Sequence, residues 1–86
     1  MRIDYFLNKI SLTKTRVIAK KACDKSLVSI NDKIAKASSR IEVGDRIYVE
    51  LYGYKKVIDV VLLPKGNVRK KDVANYYKLV KNIPFD

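Results

Sequence analysis

The chain has 86 residues, which allows one hydrophobic core and excludes a second. Hydrophobic residues make up 48% of the sequence, which is a globular rather than a disordered composition. Nineteen lysines and arginines stand against nine acidic residues and give a formal charge of +10, an excess that indicates an anionic partner, with nucleic acid first and an anionic membrane second.

The positive charge is concentrated toward the N-terminus. Residues 1–40 contain ten basic and three acidic residues, a net charge of +7, whereas residues 41–86 contain nine and six, a net charge of +3. The sequence therefore predicts that the N-terminal half carries the contact surface.

Several classes of function find no support in the residue types. One cysteine and no histidine exclude an internal disulfide and a Cys/His zinc cluster, and no histidine can act as a base at neutral pH. No glycine-rich phosphate loop is visible. We therefore expect a protein that is not an enzyme and holds no cofactor or metal, with Cys23 as a small core residue.

Targeting signals are also missing from the pattern. The first residues lack the apolar run of a signal peptide, and the longest apolar stretch, 57–63, is interrupted by Asp59 and is too short to span a bilayer. We expect a cytoplasmic protein.

Two helices are predicted at the N-terminus. Apolar residues in the first recur at spacings of three and four: Ile3, Phe6, Leu7 and Ile10. The second has an apolar stripe made of Ile18, Ala19, Ala22 and Cys23. If Thr13 is its N-cap, Arg16 lies at position N3 beside the free amides of the first turn, with Lys20 one turn further on the same face. This arrangement predicts a phosphate cradle at the start of the helix.

Strands follow the helices. Leu27–Ile30 is a predicted strand, and Asn31-Asp32 is a two-residue turn because both residue types tolerate positive φ, with residues 33–37 returning from it. From residue 47 to 52 apolar residues alternate with polar ones, the pattern of a half-buried strand, and residues 53–55 turn the chain into a second β-rich run over 56–63.

A third helix is predicted near the end of the chain. Residues 64–67 contain proline and glycine and end the hairpin, and four apolar positions at helical spacing then predict a helix over 69–81: Val73, Tyr76, Tyr77 and Val80. The order of elements gives an α+β fold, with residues 1–63 forming the main body and residues 64–86 a basic turn and C-terminal helix of the same domain.

Spaced motifs in the first half resemble one RNA-binding domain. They are RIDYFL at 2–7, KTRVIA at 14–19, VSIN at 28–31, AKASS at 35–39 and VGD at 43–45. In this order they resemble the S4-type domain, also called the αL motif, over residues 2–52. The resemblance implies two N-terminal helices packed on a small antiparallel sheet.

The later residues resemble a narrower family. The hairpin and the segment KKDVANYY at 70–77 are similar to the RqcP family, short S4-domain factors of bacterial ribosome-associated quality control that are related to a longer ribosome-associated heat-shock protein. This resemblance implies a monomer off the ribosome that binds an obstructed large subunit. There it would contact rRNA and P-site peptidyl-tRNA, and support alanine tailing of the stalled chain by an RqcH-like factor.

Three positions depart from the family pattern. Ser26 stands where the family usually has glycine, Asn31-Asp32 where it usually has Asn-Gly, and Thr15-Arg16 where it often has two arginines. Thr15 removes one charge from the predicted binding face. Ser26 and Asp32 make their turns more costly because they lack the conformational freedom of glycine.

The candidate RNA-binding residues lie in the two N-terminal helices. Arg16 is the first candidate and Arg2 the second, since a guanidinium grips phosphate with two parallel hydrogen bonds. The supporting phosphate contacts are Lys9, Lys14 and Lys20. Asp4 can orient one of the arginines; the alternative is that Arg2 and Arg16 only solvate this face or pair with Asp4.

Other basic and aromatic residues leave alternatives open. Arg69-Lys70-Lys71 either touches RNA or only begins a helix, and the tyrosines at 48, 52 and 54 either stack on bases or cover an outward sheet face. For the whole protein, the alternatives to a quality-control factor are a general rRNA or structured-RNA binder of ribosome assembly or the heat-shock response, and a membrane-surface or protein-interaction module.

Overall fold

The computed structural model describes residues 1–84. Its two α-helices are α1 (Ile3–Lys9) and α2 (Arg16–Asp24). The strands are β1 (Val28–Ile30), β2 (Lys33–Ile34), β3 (Arg46–Leu51), β4 (Tyr54–Val60) and β5 (Tyr77–Pro84), with a 3₁₀ helix (Lys70–Asn75) before the last. The strands form one antiparallel sheet in the order β2-β1-β3-β4-β5, so the predicted α+β layout is confirmed.

A single hydrophobic core joins the helices to the sheet. All four apolar residues of the first predicted stripe are buried, and Phe6 is the largest side chain among the fully buried residues. The side chains of α2 that join this core are small, and β3 and β4 contribute Ile47, Val49 and Ile58. Because burying a side chain such as Phe6 is worth about 1.5 to 3 kcal/mol, α1 is firmly held and fixes the positions of its polar residues.

The predicted two-residue turn at Asn31-Asp32 is confirmed. Both residues have positive φ, 48° and 72°, the conformation of a type I′ hairpin turn. The next hairpin turns at Tyr52-Gly53, one residue earlier than predicted, with φ of 56° and 77°. Ser26 has a φ of 60°, so the position where the family has glycine does adopt the left-handed conformation.

The predicted N-cap of α2 is wrong by two residues. Thr15 is the N-cap, and its hydroxyl accepts a hydrogen bond from the Ile18 amide at 3.1 Å. Thr13 is instead buried, and its hydroxyl donates to the Thr15 carbonyl at 2.9 Å. Arg16 is therefore the first helical residue rather than N3. The two threonines are equally good caps by type, and the burial of Thr13 decides between them.

The predicted C-terminal helix is also wrong. Residues 70–75 form only the short 3₁₀ helix, and the chain then extends into β5, which pairs with β4 and places Tyr77 opposite Val60 and Leu79 opposite Ile58. The apolar spacing of this segment is compatible with a helix, but without β5 the edge of β4 would be open. Strand pairing along that edge outweighs a weak local preference. Residues 85–86 of the predicted terminal segment lie outside the described residues.

Candidate RNA interface

A buried carboxylate on α1 binds two arginines from different elements. Asp4 accepts hydrogen bonds from Arg2, Nε to Oδ1 and Nη2 to Oδ2, both at 3.2 Å. It also accepts one from Arg16, Nε to Oδ2 at 3.3 Å. The Tyr5 amide donates to Oδ1 at 2.8 Å, which fixes the carboxylate itself. Asp4 therefore orients both arginines, where the sequence predicted an effect on one.

The two arginines remain open to solvent although their partner is not. The Asp4 side chain is 3% exposed, whereas those of Arg2 and Arg16 are 44% and 48% exposed. One negative charge between two positive charges leaves the group with a formal charge of +1. Since a guanidinium has five N–H donors and Arg16 gives only its Nε–H to Asp4, its outer nitrogens can bind an anion. Pairing with Asp4 and binding to phosphate are thus compatible.

Tyr5 adds a second support for the cations. The Arg16 Cζ lies 5.5 Å from the centroid of the Tyr5 ring, and the Lys9 Nζ lies 5.1 Å from it. Each such cation–π contact is worth about 0.5 to 1 kcal/mol at an exposed site. Tyr5 was not among the predicted site residues. Its spacing from Lys9 could have indicated this contact, since residues four apart are neighbours on one helix face.

Three of the five candidate residues meet in one concavity. Arg2, Arg16 and Lys20 line a concavity of about 270 Å³ together with Asp4 and Val17. Val17 is 60% exposed, an apolar side chain in a cationic setting. Such a surface offers charge to phosphates and an apolar contact to a ribose or a base.

The other two candidates do not line this concavity. The Lys9 Nζ donates to the Asn67 Oδ1 at 2.7 Å, which ties α1 to the loop before the 3₁₀ helix. Lys14 lines a second concavity of about 370 Å³, whose other lining residues include Asn8 and Lys70. The structure therefore places three candidates in the first concavity and Lys14 in the second, while Lys9 contacts the loop.

The single cysteine of the chain lies among the buried residues. Burial, with the nearby carboxylates of Asp4 and Asp24 adding to it, raises the pKa of the Cys23 thiol to about 11. Cys23 is buried and neutral at physiological pH, so its predicted place in the core is confirmed. Across residues 1–84 no cluster of acidic, cysteine or histidine side chains is suited to a metal ion, and no helix has the length and apolarity to cross a membrane.

Comparisons with known proteins identify the family. The family model described as "S4 domain" matches residues 1–47. A Bacillus subtilis protein named "RQC P-site tRNA stabilizing factor" is 40% identical over 81 residues, which cover 94% of this chain and 93% of that protein. The chain belongs to the RqcP family of S4-domain proteins. The similarity to the RqcP relative extends over nearly the whole chain, since the alignment covers both proteins almost from end to end.

Two solved structures have the same fold as this chain. A hypothetical protein with a solution structure is 33% identical, with a TM-score of 0.80 over 94% of this chain and 98% of that chain. Vibrio cholerae heat shock protein 15, crystallised as a trimer, has a TM-score of 0.87 at 22% identity, over 93% of this chain and 81% of that chain. The predicted S4 fold, helices with a small antiparallel sheet, is confirmed.

Proposed function

We propose that this protein is a non-enzymatic, cytoplasmic RNA-binding factor of ribosome-associated quality control. It binds an obstructed large ribosomal subunit, contacts rRNA and P-site peptidyl-tRNA, and so supports alanine tailing of the stalled chain by an RqcH-like factor. The observation that carries the proposal is the pair of half-exposed arginines that buried Asp4 holds side by side. The name of the Bacillus subtilis relative supports the P-site tRNA as the target.

The physical basis is a preoriented pair of phosphate ligands. An arginine that is fixed before binding loses less conformational freedom when it binds, so more of its interaction energy appears as affinity. Each phosphate that is neutralised also releases condensed counterions. Selectivity comes from shape and from 2′-hydroxyl contacts, since a rigid basic face fits one fixed junction of rRNA and tRNA better than a range of sequences.

The proposed contact residues are the five basic candidates of the N-terminal half. Arg16 and Arg2 make the principal phosphate contacts, and the supporting contacts are made by Lys9, Lys14 and Lys20. Residues 64–86 belong to the same domain as residues 1–63. The protein is a monomer when it is off the ribosome.

Co-sedimentation with purified large subunits tests the role. Subunits that carry peptidyl-tRNA should bind the protein more tightly than empty subunits, since only they offer both RNA surfaces at once. Equal binding to the two would contradict the tRNA-stabilising role. Comparable affinity for unrelated RNA duplexes would favour a general RNA binder instead, and binding to anionic vesicles that RNA does not displace would favour a membrane-surface module.

Arg16→Ala gives the sharpest test of the site. Loss of a charge-assisted contact should weaken binding to loaded subunits by about 1.5 to 3 kcal/mol. If about four to six phosphates are neutralised, log K should fall with log salt at a slope of about −3 to −5 in the parent protein. Lys21→Ala is the matched control, because it removes one exposed charge from the same helix outside both concavities. An Arg16→Ala affinity equal to that of the control would remove Arg16 from the interface.

A further inference from the structure

The fold brings one residue of the C-terminal segment beside the turn between α1 and α2. Lys70 begins the 3₁₀ helix, and Lys14 lies in the α1–α2 turn, so the two are distant in sequence. Both side chains line the second concavity with Asn8, Ser11 and Thr13. The predicted C-terminal helix gave no reason to expect Lys14 and Lys70 in one concavity, since this depends on the path of the chain before β5.

The concavity is a cationic site with a fixed wall. Its lining contains two lysines and no carboxylate, in contrast to the first concavity, where Asp4 lies between the arginines. The Asn8 amide nitrogen lies 3.4 Å from the Lys14 carbonyl and 3.5 Å from that of Thr13, which ties the turn to α1. Two like charges that share a concavity without an acidic partner repel each other, and an anion bound between them turns this repulsion into attraction.

Contacts along α1 connect the arginines with the segment that carries Lys70. Arg16 and Lys9 lie over the same Tyr5 ring, and Lys9 is hydrogen-bonded to Asn67, three residues before Lys70. Lys9 therefore adds a positive charge that contacts both the ring beside Arg16 and the loop before Lys70. A polyanion that binds at the arginines can also contact Lys9 and extend toward the second concavity.

We propose that Lys14 and Lys70 together bind one phosphate group of the RNA backbone. This phosphate belongs to the same RNA surface as those bound by Arg2 and Arg16, so the inference rests on the proposed function. It assigns to the C-terminal segment a direct part in RNA binding. Lysine suits the role, since its ammonium group acts as a compact charge that needs no fixed plane.

A double-mutant cycle on loaded large subunits tests the shared phosphate. Lys14→Ala and Lys70→Ala should each weaken binding about tenfold, as expected for a charge-assisted contact. The double variant should lose clearly less than the product of the two, because both changes disable one site. The slope of log K against log salt should fall by about 0.7 to 0.9 in the double variant, which corresponds to one phosphate.

Lys71→Ala is the matched control. Lys71 is exposed in the same 3₁₀ helix but does not line the concavity, so its loss should change the affinity less than twofold. Lys70→Arg, which keeps the charge, should bind like the parent protein. Thermal melts of the variants should coincide, since both lysines are exposed.

Three results would overturn the inference. Losses that multiply would assign the lysines to separate phosphates, and a Lys70→Ala affinity equal to that of Lys71→Ala would place Lys70 outside the interface. A lower affinity with an unchanged salt slope would show that the two lysines do not neutralise a phosphate. In each case Arg16→Ala still weakens binding if the proposed function is correct. A parent protein that does not bind loaded subunits would refute both the proposed function and the inference.

Discussion

Two aspartate–arginine sites in this molecule have similar chemistry and opposite consequences. Arg46 on β3 binds Asp59 on β4 through two hydrogen bonds of 2.7 and 3.1 Å, shorter than any contact between Asp4 and its arginines. Yet the Asp59 side chain is 32% exposed, whereas that of Asp4 is 3% exposed. The shorter pair is the more solvated one.

The difference shows that a short distance within an ion pair does not by itself indicate a binding site for a partner. Arg46 and Asp59 neutralise each other on a sheet surface, where solvent and salt screen them. Asp4 is buried, binds two guanidiniums and leaves the group with a net positive charge that is available to an anion. The Asp4 and Asp59 sites differ in two respects: the number of cations that each carboxylate binds, and how deeply that carboxylate is buried.

Removal of each carboxylate in turn should give the largest difference in stability between the two sites. Asp4→Ala should lower the free energy of unfolding by about 2 to 3 kcal/mol, since buried hydrogen bonds are lost and two arginines repel each other. Asp59→Ala should cost much less. Urea denaturation followed by circular dichroism measures both variants, and Asp4→Asn controls for side-chain volume. Similar losses for Asp4→Ala and Asp59→Ala would show that burial of the carboxylate is unimportant here.

Variants of Thr15 test how an added positive charge near Arg16 affects stability and RNA binding. The family often has a second arginine here, and the structure shows what threonine provides instead, the N-cap hydrogen bond of α2. Thr15→Arg should therefore lower the free energy of unfolding by about 1 kcal/mol and strengthen RNA binding through the added charge. Thr15→Ala should lose the same stability without the gain in binding. If both variants bind RNA equally, the added charge does not reach the interface.

The smallest expected effect concerns pH at the exposed pair. The hydrogen bonds from Arg46 hold the pKa of Asp59 below its ordinary value of 3.8. A lowered pKa in the folded state means that the pair stabilises the fold above the ordinary value and loses this contribution as the pH falls through the folded-state value. The difference in denaturation midpoint between the parent and Asp59→Asn should therefore shrink between about pH 5 and pH 2. A difference that stays constant would contradict the assignment.

Sequence reasoning succeeded where the decisive partners are local. The stripe of α1 repeats within eight residues and is buried as predicted, and the Asn31-Asp32 turn depends on the conformational tolerance of two neighbours. The spaced motifs were sufficient to predict the S4 fold. The prediction of Thr13 as the N-cap failed, because Thr15 has the same chemistry and the burial of Thr13 distinguishes the two only in the folded chain.

Composition and local spacing were sufficient to establish the charge excess and its bias toward the N-terminus, and to select Arg2 and Arg16 as the first candidates. The folded chain adds three features: Asp4 is shared by two arginines, residues 77–84 form a strand, and Lys14 and Lys70 line one concavity. Each of these depends on the partner that a distant part of the chain supplies. A strand is stabilised by the edge it pairs with, and a carboxylate is shared only when the fold brings two cations to it.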